Sequence, residues 1–178
     1  MENRENGGDV ASLMQRILYE VKKVVVGQDH FLERVTGLAA DVSTVASTDQ
    51  LAALQRQCRS GYVDPSLIQY AVRLAGATRF PDRYGVGDFA KYVTFGASPR
   101  ASINLIEGAR ALAYLRGRDY VLPDDVSDLA PDVLRHRLVL SYEALADGLT
   151  PDDLVHKVMQ RIVPPDKPLE SHVKFARG

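Results

Sequence analysis

One cysteine in 178 residues, Cys58, excludes an internal disulfide. It stands among Leu54, Gln55 and Arg59 in a helical pattern, which suits a half-buried small apolar side chain better than a reactive thiol. Net charge is also lacking: 22 basic residues against 23 acidic ones leave −1, so no global field draws in nucleic acid or an anionic membrane. No apolar run approaches the roughly 18 residues that span a bilayer, and no charged-then-apolar leader precedes a cleavage site. The expectation is a cytoplasmic protein without membrane contact. The sequence also lacks any Gly-Lys pair, and therefore any G-x-x-x-x-G-K-[ST] loop. Without that loop no row of backbone amides wraps a nucleotide's phosphates and no lysine neutralises them. An apolar strand ending in Asp-Glu, which would hold magnesium, is missing as well. No catalytic residue is therefore assigned.

What is present is an ordinary globular composition, 46% apolar and 25% charged. Helix signals dominate it. Leu13, Ile17, Leu18, Val21 and Val24 form one apolar stripe over 10–26, which ends at Gly27; 28–38 suits a shorter helix. Residues 36–48 are small and polar, and read as a joint. Beyond it, Thr48-Asp49 opens a helix that stops at Gly61. Asp64-Pro65 pairs a cap with proline in the first turn, and Leu67, Ile68, Ala71, Val72, Leu74 and Ala75 give that helix a broad buried face. Residues 80–97, with Gly85, Gly87 and Gly96, read as a long loop holding a short strand at 92–95. Ser98-Pro99 opens a helix ending at Gly117. Leu122-Pro123 opens another, which Pro131 is expected to break. A short strand fits 137–141. Thr150-Pro151-Asp152-Asp153 starts a last helix with Leu154, Val155, Val158, Met159 and Ile162 on its apolar stripe. The tail beyond Pro164 reads as extended. The fold class is mainly α: a bundle of four or five helices, a separate N-terminal helix, and at most a short two-stranded β element.

Few residues point to chemistry. Gly85-Val-Gly87-Asp-Phe-Ala90 has a glycine spacing like that of a dinucleotide fingerprint, but no buried strand precedes it. His30, His136, His156 and His172 are scattered without a second ligand type at metal spacing, so no metal site is assigned. Arg100 breaks a local rule, because a cation in the first turn opposes the helix dipole. At about 100° per residue, Leu105, Ile106, Ala109, Leu112 and Ala113 face away from it, whereas Asn104, Glu107, Ala111 and Tyr114 share its face. An anion such as phosphate would explain the placement. A pairing with Glu107 or Asp88, or simple solvation, would explain it equally.

Gly96-Ala-Ser-Pro-Arg-Ala101 is similar to the corresponding segment of the MoxR branch of AAA+ ATPases. The likeness runs through Ala109-Arg110-Ala111, Leu115-Arg116-Gly117-Arg118-Asp119-Tyr120-Val121 and Pro123-Asp124-Asp125-Val126. It continues over Leu134-Arg135-His136-Arg137-Leu138 and Ser141-Tyr142-Glu143-Ala144. Upstream, Tyr62-Val63-Asp64-Pro65 resembles the start of the family's lid domain, and Lys23-Val-Val-Val-Gly27-Gln28 resembles its N-terminal V-x-G-Q motif. The resemblance implies that Arg100 is the lid's sensor-2 arginine, which reaches the γ-phosphate, and that Val26, Gly27 and Gln28 contact adenine. It further implies ATP and magnesium as ligands, ring oligomers of intact MoxR subunits that remodel client proteins, and von Willebrand A-domain partners.

The departure from the family is internal. Glu33-Arg34-Val35 runs directly into Thr36-Gly37-Leu38, which resembles the last helix before the lid, so both Walker motifs, sensor 1 and the arginine finger are missing. The expected organisation is 1–35 as N-terminal helix and V-x-G-Q segment, 36–47 as the joint, 48–163 as the lid and 164–178 as an extended tail. Three functions follow. The first is an AAA+ lid module with residual nucleotide contact. Each surviving contact would be worth about 1–3 kcal/mol, for a dissociation constant of about millimolar or weaker. The second is a non-enzymatic module that docks to an intact MoxR ring or self-associates through apolar surface left uncovered. The third, a DNA-binding module, is suggested by Arg110, Arg116 and Arg118 and opposed by Asp119, Asp124, Asp125 and the neutral net charge.

Overall fold

A computed structural model describes residues 12, 13, 15, 16 and 44–166. The expectations for Val26, Gly27 and Gln28, and most of those for 1–43 and 167–178, lie outside the described residues. Residues 12, 13, 15 and 16 are helical, as the apolar stripe predicts there.

Most helix starts follow from their caps. Helix α1, Thr48–Arg59, opens with a reciprocal cap in which Ser47 Oγ accepts the Gln50 N–H at 3.2 Å and Gln50 Oε1 accepts the Ser47 N–H at 2.8 Å. Helix α2, Pro65–Arg79, opens where Asp64 Oδ1 accepts the Ser66 N–H at 2.8 Å. Two 3-10 turns, Pro81–Tyr84 and Gly87–Tyr92, lead into strand β1, Val93–Phe95. Helix α3, Arg100–Leu115, ends on Gly117 at φ 75°, where the Arg118 N–H reaches back to the Ala113 carbonyl at 2.9 Å. Helix α4, Pro123–Leu134, passes through a 3-10 turn, Arg135–Arg137, into strand β2, Val139–Leu140. The short α5, Tyr142–Ala146, and α6, Pro151–Arg161, complete the described chain, the latter opened by a Thr150–Asp153 reciprocal cap. Strands β1 and β2 pair antiparallel, Val93 with Leu140 and Phe95 with Val139. Among the described residues the fold is a mainly helical bundle with one two-stranded element.

The core is shared by four helices. Leu67, Tyr70, Ala71, Leu74 and Ala77 of α2 meet Ala101, Leu105, Ala109 and Ala113 of α3, whose small side chains let the two axes approach. Val126, Ala130 and Leu134 of α4 and Leu154, Val155 and Val158 of α6 close it, with Ile162 just beyond. A parallel bridge ties the two linkers: the Tyr62 N–H donates to the Asp119 carbonyl at 2.8 Å and the Val121 N–H to the Tyr62 carbonyl at 2.9 Å.

Three expectations change. Ile68 and Val72 are about half exposed, and Tyr70 and Thr78 take the inward positions instead, because α2 turns a different arc toward α3 than its apolar residues alone suggest. Pro131 does not break α4. Val126, Ala130 and Leu134 are fully buried at four-residue spacing across it, and their burial outweighs the roughly 3 kcal/mol penalty of an interior proline. The stretch 80–97 is more ordered than a loop: Phe89 reaches the core from the second 3-10 turn and Val86 from between the two.

One buried charge organises the α3–α4 corner. Asp125 has no exposed surface, and it accepts from Arg116 Nη1 at 2.7 Å, Arg118 Nη1 and Nη2 at 2.8 and 2.7 Å, and the Leu122 N–H at 2.8 Å. Burial alone would raise its carboxyl, but the donors from Arg118, Leu122 and Arg116 outweigh burial and hold it below the ordinary aspartate range. Its stabilising contribution is therefore complete above about pH 3.9, the ordinary aspartate value, and is lost as pH falls through the lower native value, since there the unfolded chain binds the proton more readily. Asp125→Ala should cost about 3 kcal/mol in chemical unfolding, because it strips a buried carboxylate from its donors. Asp125→Asn should flatten the acid limb of a melting-temperature profile; an acid limb as steep as that of the wild type would contradict this role.

Candidate functional site

The turn between β1 and α3 is locked from below and open above. Gly96 lies against the end of α2 so closely that a methyl group there would overlap the Thr78 carbonyl and come within 2.7 Å of the Arg79 nitrogen. Next to it the buried Ala97 N–H donates to Thr78 Oγ1 at 2.9 Å, and that hydroxyl donates in turn to the Ala75 carbonyl at 2.8 Å. Ala97 and Ala101 are fully buried, whereas Ser98, Pro99 and Arg100 between them are exposed. The chain dips into the core on both sides of the arginine and lifts it out.

The electrical setting of Arg100 is unusual in this molecule. The first turns of α4 and α6 carry Asp124, Asp125, Asp152 and Asp153, as helix dipoles favour. The first turn of α3 carries no acid and no side-chain cap; the Ala101 N–H is taken by the Ser98 carbonyl at 2.8 Å. Among the described residues no carboxylate pairs with the Arg100 guanidinium. Glu107, one of the two expected partners, is engaged by Arg110 at 2.7 Å. The burial of Leu105, Ile106, Ala109 and Ala113 and the exposure of Asn104 and Glu107 follow the projection of the helix, with Leu112 only half-buried.

Other candidates are absorbed by structure. Arg116 and Arg118 are committed to Asp125, and Arg116 also to Asp128 at 2.6 Å. The burial of Asp125 is not marked by any periodicity; its signal in the sequence is an acid two residues after Leu122-Pro123 with two arginines just upstream. Cys58 is half-buried in a groove of 610 Å³ between α1 and α3, and burial first, then the nearby Glu107, pushes its thiol pKa up, away from a reactive thiolate. His136 Nδ1–H donates to the Asp132 carbonyl at 2.9 Å, and no group of three side chains that could hold a metal occurs among the described residues. Gly85 and Gly87 lie in and between 3-10 turns, not at a strand-to-helix junction. No described helix is long and apolar enough to cross a membrane.

Residues 88–158, from the second 3-10 turn through most of α6, match the AAA lid domain. The chain is 48% identical over 121 residues, 68% of its length, to the chaperone MoxR1 of Mycobacterium tuberculosis, and 38% identical over 96 residues to the protein MoxR of Paracoccus denitrificans. A crystal structure of a candidate ATPase from Cytophaga hutchinsonii superposes with a TM-score of 0.67 at 32% identity, over 80% of this chain and 45% of that one. The chain belongs to the MoxR family of AAA+ proteins, of which it carries the lid. It spans about a third of the length of the curated relatives it matches, 32% of the mycobacterial chaperone and 28% of the Paracoccus protein.

The anchoring of the turn is open to direct test. Thr78→Val leaves the buried Ala97 N–H without a partner and should cost about 1–3 kcal/mol in urea unfolding, while Thr78→Ser should cost less. Gly96→Ala should be worse than Thr78→Ser, by about 1–3 kcal/mol of overpacking. Wild-type midpoints for both Thr78→Val and Gly96→Ala would show that the turn is not held this way.

Proposed function

We propose that the chain is a lid of MoxR type whose Arg100 is a phosphate contact, and that it does not turn over ATP alone. The observation that carries the reading is an exposed arginine at the positive end of α3, with no carboxylate partner among the described residues, raised on a turn fixed by Gly96 and Thr78. A guanidinium presents paired donors that match phosphate oxygens, and an anion there would relieve the opposition between cation and helix dipole. Arg100 is the only member of the expected nucleotide set (Val26, Gly27, Gln28 and Arg100) among the described residues. The described residues fit a single phosphate contact; they supply neither a phosphate-wrapping loop nor magnesium ligands. The sequence has no Gly-Lys loop elsewhere. Binding energy is then confined to a few contacts, and affinity for Mg-ATP of about millimolar or weaker follows.

In this reading the chain derives from a cytoplasmic ATP-driven remodelling system, with intact MoxR subunits and a von Willebrand A-domain protein as its partners, and lacks the ATPase core. Titration of Mg-ATP into isotope-labelled protein should shift the amides of 97–102 selectively, and Arg100→Ala should abolish the response. Shifts centred elsewhere would sink the assignment, micromolar affinity would contradict the weak binding, and measurable turnover would sink the claim of a non-catalytic chain.

A second reading, docking to an intact ring, is favoured by a different observation. Phe95 and Val139, paired across the sheet, and Tyr142 and Leu145 on α5 are 51–89% exposed. Apolar side chains grouped in this way mark contact surfaces more often than bare solvent faces. Phe95→Ser with Leu145→Ser should reduce co-sedimentation with an intact MoxR-type ATPase at least tenfold; undiminished co-sedimentation of the double variant would contradict docking through this surface.

A further inference from the structure

Arg137 is half-buried and has no carboxylate partner among the described residues. Its 3-10 turn, Arg135–Arg137, is held at both ends by the buried Leu134 and Leu138. Within it Arg135 pairs with Asp132 at 3.3 Å and with Asp152 of α6 at 3.0 Å, and the His136 ring lies 2.9 Å from the Asp132 carbonyl. From this base the half-buried Arg137 side chain crosses to α3. With the Asn104 amide oriented to satisfy both of its ends, Asn104 Oδ1 accepts from Arg137 Nη2 at 2.7 Å and Asn104 Nδ2 donates to the Arg100 carbonyl at 3.2 Å. Arg137 Nε is buried without a partner among the described residues, so the guanidinium is engaged only through its far end.

This arrangement has a cost and an address. Ordering an arginine side chain sacrifices much of its rotamer freedom, and here no ion pair with a described carboxylate offsets the loss. The only described group it holds is Asn104, one turn beyond Arg100 on the same helix face. The Arg100 carbonyl already accepts the Asn104 backbone N–H by helix geometry. The side-chain bond adds a second donor to the same oxygen, and Arg137 fixes that donor to a different element. The first turn of α3, which has no capping side chain of its own, is thereby braced from the end of α4.

We propose that Arg137 is a positioning residue: through Asn104 it braces the first turn of α3 and so sets the direction in which Arg100 meets a phosphate. The proposal rests on the reading of Arg100 given above. It assigns Arg137 no contact with the nucleotide.

The test uses the full isotope-labelled chain as wild type, Arg137→Ala, Arg137→Lys and Asn104→Ala, with two readouts: hydrogen exchange of the Asn104 amide, and the response of the Arg100 Nε–H signal to added Mg-ATP. Arg137→Ala and Asn104→Ala should each speed exchange at Asn104 on the order of tenfold relative to exchange at Leu105 and Ala109. Both should cut the Arg100 response to Mg-ATP severalfold, and Arg137→Lys, which keeps a donor, should restore most of each effect. Unchanged exchange and response in Arg137→Ala would overturn the brace while leaving Arg100 as the phosphate contact. A uniform loosening of α3 that lysine does not rescue would reduce Arg137 to a packing residue and also overturn it. If the wild type shows no Mg-ATP response, the phosphate reading of Arg100 fails and takes with it the purpose assigned to the brace; the exchange arm then still reports whether Arg137 holds the turn.

Discussion

The approach of Gly96 to the Thr78 carbonyl is the constraint on which the functional reading depends. It joins the end of α2 to the turn before α3, and it is possible only because no side chain intervenes. The Thr78 hydroxyl adds a bond to the Ala97 N–H inside the core. Because the chain is pinned at 96–97 and again at the buried Ala101, the three residues between them have little choice but to face outward. The arginine among them is thus presented by backbone geometry rather than by a flexible loop.

The molecule handles its arginines in two opposite ways, and the contrast gives Arg100 its meaning. At the α3–α4 corner, Arg116 and Arg118 surround one sequestered carboxylate that also satisfies the Leu122 N–H. That charge is neutralised, hydrogen-bonded and structural. At the other end of α3, Arg100 faces solvent against the dipole of its own helix, and Arg137 reaches the same face with only an amide to hold. Glu107, the carboxylate on that face, is taken by Arg110, and no described carboxylate pairs with Arg100 or Arg137.

Much of this is legible in the sequence, for a physical reason. Helix starts at Asp64-Pro65, Leu122-Pro123 and Thr150-Pro151 are written locally, in caps and prolines that act within one turn. Arg100 was legible for the same reason, since a cation in a first turn can be recognised without knowing the fold. What was not legible depends on neighbours distant in sequence. Ile68 and Val72 are apolar enough for a core, and only the position of α3 decides that Tyr70 and Thr78 go inward instead. Pro131 looked like an end because local rules cannot weigh the burial of Ala130 and Leu134. The link from Arg137 to Asn104 joins residues more than thirty positions apart, and no periodicity marks it.

The central claim is that Arg100 is a free, outward guanidinium while its neighbours are spoken for. Modification of the folded chain by phenylglyoxal, followed residue by residue by mass spectrometry, measures this directly. Arg100 should react well ahead of Arg116 and Arg118, whose guanidiniums are tied to Asp125. An Arg100 that reacts as slowly as those two, in chain that remains folded, would contradict the account.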